Sequence, residues 1–256
     1  MFEPLAGRYE LINHVITFGL DTVWRKKAAG IAARKAGPGV SPTATTERLV
    51  WLDVSAGTGE MADLLSRHAD PGTTVLAADF SLPMLRGAVH KRAARGKTAQ
   101  GQTALTEATN AETTHAGRML LVAANDRILP FRDASLDLVT LSLGTRNLNT
   151  SRSALVSCFK EFHRVLKSGG RFVNLETSQP RSRLVRALFH WYVRRLIRPV
   201  ASALSGNSGA YSYLAGSMCG FYEADELAAI VREAGFARVE VTRFFLGVVA
   251  IHSAKK

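Results

Sequence analysis

Residues 49–65 have the sequence LVWLDVSAGTGEMADLL, and this stretch decides the fold of the chain. An apolar run ends at Asp53, the chain turns through Gly57 and Gly59, and an amphipathic run follows. This order predicts a strand, a tight turn and a helix, which together open a nucleotide-binding βαβ unit. The six residues that end at Ala62 also match the dinucleotide pattern G-x-G-x-x-G/A, which would hold a pyrophosphate at the helix N-terminus.

Two carboxylates near this turn favour a different ligand. Asp53 stands just before the glycine turn, where its charge would repel a pyrophosphate but attract an ammonium or sulfonium group. Asp79 ends the next apolar run, TTVLAAD, where a doubly wound fold has the carboxylate that binds ribose hydroxyls. S-adenosylmethionine (SAM) has ribose hydroxyls, an amino group and a sulfonium, and it has no phosphate. We therefore predict SAM as the cofactor, and a turn that binds nothing is the alternative.

Composition limits the class of protein. The chain has 256 residues, of which 46% are hydrophobic, so it can form one folded domain with insertions. Cys158 and Cys219 have neither a disulfide framework nor a metal-like spacing, and the seven histidines are scattered, so we predict no metal site. No apolar run reaches the roughly 18 residues that cross a bilayer, and the N-terminus does not resemble a signal peptide. We expect a cytoplasmic protein.

The formal net charge of +12 is compatible with a nucleic acid, an anionic membrane surface or a generally basic proteome. Its longest cluster is RSRLVRALFHWYVRRLIRP, residues 181–199, where arginines alternate with large apolar residues. Leu184, Leu188 and Trp191 recur at helical spacing, and arginines flank this stripe, as in helices that lie on a membrane. The pattern predicts peripheral contact with the inner face of a membrane. An ordinary helix over the active site, with solvated arginines, is the alternative.

Strand and helix patterns alternate along most of the chain. The predicted strands cover residues 49–54, 74–79, 119–126, 135–144, 171–177, 237–245 and 247–255. The predicted helices between them cover residues 59–69, 81–94, 151–166 and 225–235, and Lys167-Ser168-Gly169-Gly170 predicts a glycine cap on the third of these. Repeated βα units predict an α/β fold, Rossmann-like and doubly wound, with a mostly parallel sheet. The antiparallel C-terminal hairpin distinguishes the class I SAM-dependent methyltransferase fold from dinucleotide-binding folds.

We predict a single methyltransferase domain, residues 1–256, with three added segments. Residues 1–36 form an N-terminal helical lid, because 8–36 has apolar residues at helical spacing and little proline or glycine. Residues 95–118 are rich in threonine, alanine and glutamine without periodicity, which predicts a mobile insertion. Residues 178–222 interrupt the βα rhythm and predict a helical insertion on the substrate side.

Seven segments carry a more specific signal. In chain order they are GRYELINHVITFGLDTVWRKK, LDVSAGTGEMADLL, AADFSLPML, AANDRILPFRDASLDLVTLSLGTRNL, FHRVLKSGGRFVNLETSQP, YSYLAGS and GVVAIHSAKK. Together they resemble the ubiquinone/menaquinone biosynthesis C-methyltransferase family over nearly the whole chain. The resemblance implies methyl transfer from SAM to a ring carbon of a polyprenylated quinol or its benzoquinol precursor, with no nucleic-acid partner. It leaves open the ring, the tail length and whether the protein is a homodimer.

The resemblance also implies roles for individual residues. Arg146 and Asn147 follow the fourth strand, where Arg146 would hold a phenolate or orient a proton-accepting water, and Tyr9 would bond the ring or cofactor from above. The residues expected at the cofactor are Asp53, Gly57, Thr58, Gly59, Asp79, Met84, Asn125, Asp126 and Ser142. A structural ion pair is the alternative for Arg146, and a core position is the alternative for Tyr9 and for Met84.

Several positions depart from the family pattern. Ser55 and Ala56 stand where the family usually has Ala or Gly and then Gly. Asp126 replaces the usual Ala of the A-N-A-E segment, and Arg127 replaces its Glu. His14 stands where an acid is usual. These changes bear on the adenine environment and on the exact substrate more than on the reaction.

Other functions agree with less of the sequence. An amino methyltransferase of nucleic acids needs an N/D/S-P-P-Y/F segment after the fourth strand, and this chain has SLGTRN there. A cytosine C5 enzyme needs a nucleophilic cysteine, typically after a proline, and neither cysteine fits. Asp53 and the closing hairpin disfavour a dehydrogenase. A methyltransferase for another small molecule or lipid is the main alternative.

Overall fold

The computed structural model describes residues 6–34, 48–94, 118–205 and 208–256. The helices are α1 (Ala6–Ile16), α2 (Leu20–Ala32), α3 (Glu60–His68), α4 (Leu82–Ala94), α5 (Thr145–Leu148), α6 (Arg152–Val165), α7 (Arg183–Tyr192), α8 (Arg198–Ser205), α9 (Ser208–Cys219) and α10 (Ala224–Glu233). The strands are β1 (Val50–Val54), β2 (Thr74–Asp79), β3 (Arg118–Ala123), β4 (Leu136–Ser142), β5 (Leu166–Thr177), β6 (Arg238–Phe244) and β7 (Val249–Lys255). A π-helical turn (Val193–Ile197) joins α7 to α8, and a 3-10 turn (Phe245–Gly247) joins β6 to β7.

The seven strands form one sheet in the order β3-β2-β1-β4-β5-β7-β6. The first five strands of this order are parallel, and β7 is antiparallel to both β5 and β6. The predicted doubly wound sheet and its closing hairpin are therefore confirmed. The strand order reverses between β1 and β4, and such a reversal opens a crevice at the carboxyl ends of the strands.

Both faces of the sheet are covered, which explains the nearly continuous apolar runs in its parallel strands. Alternate residues of β1 point to opposite faces. Leu52 belongs to one buried core together with Phe159 of α6, and Trp51 belongs to a second core together with Leu65 of α3. The central strand β1 is thereby packed on both sides, and the turn that follows it has a rigid support.

The region at 8–36, for which the sequence predicts helical structure, contains the two helices α1 and α2. Phe18 and Gly19 have φ values of +52° and +72°, a left-handed conformation that ends one helix and starts the next. Asp21, at the start of α2, is wholly buried and accepts a hydrogen bond from the Thr17 hydroxyl at 2.8 Å. His14 Nδ1 of α1 lies 2.8 Å from the same carboxylate, so α1 and α2 are joined across the break.

The predicted glycine cap at Lys167-Ser168-Gly169-Gly170 is corrected. Helix α6 ends at Val165, and β5 begins at once with Leu166. The Gly169 N–H donates to the Lys256 carbonyl at 3.1 Å, and the Lys256 N–H donates to the Gly170 carbonyl at 3.0 Å. These bonds extend the pairing of β5 with the last strand, and a local sequence pattern does not contain that partner.

Within the predicted insertion at 178–222, the described residues form α7, the π-helical turn, α8 and α9. Its helices and α1 share a third buried core, which includes Ile12, Phe189, Val193 and Tyr211. Among the helices of the described ranges, none is both long and apolar enough to cross a membrane. The predicted insertion at 95–118 lies outside the described residues, except for the first residue of β3.

Gly59 ends the glycine turn, and we expect Gly59→Ala to lower the free energy of unfolding by about 1–2 kcal/mol, the cost of a left-handed alanine. Its φ is +78°, and an added Cβ would lie 3.3 Å from the Ala88 Cβ. Gly30, inside α2, is the matched control because nothing lies within 4 Å of its Cβ position. Gly30→Ala should stabilise by about 0.5–1 kcal/mol. Urea unfolding measures both values, and equal effects would contradict the strained turn.

Candidate active site

A cavity of about 630 Å³ opens at the carboxyl ends of β1, β2 and β4. Of the sequence-predicted site residues, those that line it are Asp53, Gly57, Thr58, Asp79, Met84, Asn125, Asp126, Ser142 and Asn147. Gly59 and Arg146 are not among its lining residues, and the side chain of Tyr9 lies outside the part of the chain that the structure describes. Most of the predicted residues thus meet in one cavity at the reversal of strand order.

The glycine turn is joined to the loop after β2 by Asp79. The Gly57 N–H donates to Asp79 Oδ2 at 2.8 Å, and the Ser81 N–H donates to Asp79 Oδ1 at 2.8 Å. Burial raises the pKa of this carboxyl, although the two backbone donors oppose the rise. A carboxylate has about four acceptor positions, so Asp79 can still accept hydroxyl protons from a ligand.

Asp53 lies at the floor of the cavity and is 1% exposed. Thr140 is its register partner on β4, and the Thr140 hydroxyl donates to Asp53 Oδ1 at 2.7 Å. Burial raises the pKa of Asp53 to about 7, and the Thr140 hydrogen bond and the charge of Arg25 offset only part of the effect. The group therefore changes charge close to neutral pH.

Four buried oxygen atoms of cavity-lining residues have no hydrogen-bond partner within the described structure. They are Asp53 Oδ2, Ser81 Oγ, Asp126 Oδ1 and Ser142 Oγ. Buried polar groups are nearly always paired in native proteins, since leaving one unpaired costs about 1–3 kcal/mol. The set consists of carboxylate and hydroxyl oxygens, so it matches a ligand that has hydroxyl and amino groups and a positive charge.

Helix α5 directs its two predicted catalytic residues differently. Arg146 Nε donates to Glu176 Oε1 at 2.9 Å, and Nη1 donates to Ser217 Oγ at 3.3 Å. Glu176 is wholly buried, and the adjacent Asn147 lines the cavity. The structural ion pair, which the sequence left as the alternative for Arg146, is present. Contact between Arg146 and a substrate stays a prediction.

Sequence reasoning missed Arg25 as a lining residue of the cavity. Its Nη1 lies 2.5 Å from Asp21 Oδ2 and 3.1 Å from Glu60 Oε2, so it joins α2 to the start of α3. The only signal in the sequence was its membership of the basic cluster Trp24-Arg25-Lys26-Lys27. A helical pattern does not tell which of these cations turns inward.

Glu10, His14 and Glu60 approach one another closely enough to hold a metal ion. Two cations already neutralise these acids, since Lys91 Nζ lies 2.5 Å from Glu10 Oε1 and Arg25 bonds Glu60. We therefore assign no metal to this group.

Solved structures with the same fold define the class. A SAM-dependent methyltransferase from Thermotoga maritima, titled a possible histamine N-methyltransferase, aligns over all of both chains with a TM-score of 0.56 and 16% identity. The CurJ carbon methyltransferase aligns over 94% of this chain and 55% of its own with a TM-score of 0.58 and 14% identity. The fold is that of SAM-dependent methyltransferases.

Sequence relatives give the family. The model of the ubiE/COQ5 methyltransferase family matches residues 1–256. The demethylmenaquinone methyltransferase of Thermus thermophilus is 35% identical over 253 residues, 98% of each chain. The ubiquinone/menaquinone biosynthesis C-methyltransferase UbiE of Geobacter sulfurreducens is 32% identical over all of this chain and 87% of its own. The chain belongs to the ubiE/COQ5 methyltransferase family, which confirms the resemblance, the enzyme class and SAM as the cofactor.

The raised pKa values in the cavity predict how stability depends on pH. The pKa is raised by burial from 3.8 to about 7 for Asp53 and to about 6 for Asp126. The folded state therefore binds these protons more tightly than the unfolded chain. Their contribution to stability is complete below the unfolded pKa and is lost as pH rises through the folded values.

We expect the melting temperature of the ligand-free protein, relative to that of Asp53→Asn, to fall as pH rises from 4 to 8, because the amide stays neutral. Thermal unfolding across this range measures the difference. Asp133→Asn is the control, since that side chain is 79% exposed and lies outside the cavity. Parallel curves for wild type and Asp53→Asn would show that Asp53 does not change its charge there.

Proposed function

We propose that this protein transfers the methyl group of SAM to a ring carbon of a polyprenylated quinol in menaquinone or ubiquinone biosynthesis. The relatives named for this chemistry are 32% and 35% identical and align over nearly their whole length. The observation that carries the proposal is the set of four unpaired oxygens in a cavity at the reversal of strand order. A cofactor with hydroxyl and amino groups and a positive charge fits that set.

The cavity offers a partner for each part of SAM. Asp79 would accept the ribose hydroxyls, since it retains acceptor capacity beside its two backbone donors. Thr58, at the glycine turn, would contact the methionine moiety. Met84 and Asn125 line the cavity near the ends of β2 and β3, where the adenine would lie between them. These assignments follow the family resemblance, and the geometry is compatible with them.

Apolar side chains also line the cavity. Phe80, 67% exposed, and Tyr213, 42% exposed, both line the cavity together with Leu143 and Leu148. Such side chains suit an aromatic ring that enters with a polyprenyl tail. Exposed aromatic groups at an opening are costly in water unless a ligand covers them, which favours an apolar substrate.

SAM supplies a methyl group activated by its sulfonium, and the protein contributes mainly proximity and orientation. We propose that the Asn147 amide donates to the substrate hydroxyl next to the reacting carbon, since its side chain is at the cavity. The Arg146 guanidinium, although paired with Glu176, would favour the phenolate form of this hydroxyl, whose proton passes to a solvent water. Tyr9, on α1, is proposed to cover the ring from above. As the ring carbon bonds the methyl group, the S–C bonding pair stays on sulfur, and the ring carbon then gives its proton to a solvent water, which restores aromaticity.

The outer surface of α7 supports the proposed membrane contact. Leu184, Leu188 and Trp191 are 70%, 59% and 58% exposed on one side of α7. The chain has six arginines and no acidic residue between Glu176 and Glu223. Arg181 and Arg186 pair with Asp225 and Glu223. The remaining arginines, beside an apolar stripe, suit an anionic lipid surface, which is also where a polyprenylated substrate resides. The cytoplasmic location, the homodimer and the division into lid and insertions stay predictions.

The activity is tested by incubating the purified protein with methyl-labelled SAM and either demethylmenaquinol or a demethylated benzoquinol precursor. We expect label on the ring carbon of one of these quinols. Asp79→Ala should weaken SAM binding by at least tenfold, because hydrogen bonds to a charged group contribute about 1.5–3 kcal/mol. Asp133→Asn serves as the control, since its exposed carboxylate lies outside the cavity. Label in neither quinol, from a protein that binds SAM, would overturn the substrate proposal.

Membrane contact is tested by co-sedimentation with phosphatidylcholine vesicles that contain phosphatidylglycerol. The exposed residues Arg183, Arg195 and Arg198 are changed together to glutamine. We expect vesicle binding to weaken by about tenfold or more, since each basic residue contributes about 1 kcal/mol at an anionic surface. The matched control removes the same charge elsewhere by changing the exposed residues Arg86, Arg132 and Arg232 to glutamine. Equal losses in the two variants would exclude a specific docking face.

A further inference from the structure

Two positions that depart from the family pattern contact each other. Ser55 follows β1, and Asp126 lies in the loop after β3, 71 residues away in sequence. The Ser55 hydroxyl donates to Asp126 Oδ2. The residues usual in the family at these positions, alanine or glycine and alanine, have no polar side-chain atoms. The Ser55–Asp126 hydrogen bond is therefore a contact that those usual residues could not form.

Ser55 determines where the Asp126 carboxylate lies. Its φ of +51° is unfavourable for a serine, and its Cβ is 3.0 Å from the position that a Cβ on Gly144 would occupy. Gly144 follows β4, so the Ser55 side chain lies between the carboxyl ends of β1 and β4. The hydrogen bond thus holds the carboxylate towards the crevice where the strand order reverses, at the centre of the cavity.

The Asp126 carboxylate has no compensating positive charge in its hydrogen bonds. It is 4% exposed, and its Oδ1 has no hydrogen-bond partner in the described structure. The neighbouring Arg127 side chain bonds the Leu148 carbonyl and the Thr150 hydroxyl instead. Burial, and also the charge of Asp79, raises the pKa of Asp126 to about 6. The donors to this carboxylate are neutral groups of Ser55, so a cationic ligand would stabilise its charged form.

We propose that Asp126, positioned by Ser55, makes this enzyme discriminate between its charged cofactor and its neutral product. The inference depends on the proposed function, because it requires SAM in the cavity. SAM carries a sulfonium, whereas S-adenosylhomocysteine is left with a neutral thioether after the methyl group leaves and the S–C bonding pair stays on sulfur. The Asp126 carboxylate attracts the sulfonium of SAM. Beside the neutral thioether of S-adenosylhomocysteine, the carboxylate has no positive charge to balance it. The product is therefore released more readily.

The charge of Asp126 contributes little to the rate of the methyl-transfer step. The positive charge on sulfur declines as the methyl group moves, so the attraction to Asp126 is strongest before the transition state. An interaction made mainly in the ground state lowers KM for SAM without raising turnover. A residue that merely supports the fold would instead affect stability and both ligands alike.

Calorimetry with SAM and with S-adenosylhomocysteine tests this on the wild type, Asp126→Asn and Ser55→Ala. Asp126→Asn keeps the shape and an acceptor for the Ser55 hydroxyl while it removes the charge. We expect it to weaken SAM binding by about tenfold, the effect of one charge-assisted contact, and product binding by less than about threefold. Ser55→Ala should shift the ratio of the two affinities in the same direction. Asp133→Asn is the control outside the cavity.

Single-turnover methyl transfer at saturating SAM supplies the second measurement. We expect Asp126→Asn to raise the SAM concentration that gives half the maximal rate by a larger factor than it changes the maximal rate itself. Equal weakening of SAM and product would overturn the proposal, because Asp126 would then contact the adenosine that both share. Unchanged affinities for both would also overturn it. If the wild type binds neither ligand, the proposed function itself is wrong.

Discussion

The site depends on the two hydrogen bonds that the Asp79 carboxylate accepts from the backbone. They join the glycine turn after β1 to the loop after β2, through the N–H groups of Gly57 and Ser81. Both loops line the cavity, so its shape depends on one side chain. The rigid sheet below allows this, because β1 is packed on both faces and the turn cannot retreat. A ligand that bonds Asp79 would therefore contact the side chain that holds the two cavity loops together.

Charge is the second property that defines the cavity. Asp53, Asp79 and Asp126 all line it, and burial raises the pKa of each. Arg25 also lines it, but its guanidinium is bonded to Asp21 and Glu60. A cationic ligand would offset the desolvation cost of these buried carboxylates when it binds. These carboxylates attract the sulfonium of SAM and would repel the phosphates of a nucleotide. The charge of the cavity and the family membership therefore both favour SAM.

Helix α1 and the helices at 183–219 form a layer above the edge of the sheet. The core shared by α1 and the helices at 183–219 is separate from the two cores of the sheet. Tyr192 of α7 donates to the Ile16 carbonyl at 2.6 Å, which joins this layer to the end of α1. The layer brings Tyr213 to the cavity and leaves the arginine-rich side of α7 exposed. The proposed substrate selection and membrane contact would thus both be carried by this helical layer.

The sequence by itself determined the strand–turn–helix at 49–65 and the order of βα units, because these follow from local periodicity and from turn residues at fixed spacing. Together with the family resemblance it also indicated nine of the residues that line the cavity. Only the tertiary structure decided which polar groups meet. Arg146 bonds Glu176 across 30 residues, and Ser55 bonds Asp126 across 71. The start of β5 likewise depends on pairing with the distant C-terminus. Burial and pairing depend on segments brought together by folding, and a local pattern contains no information about them.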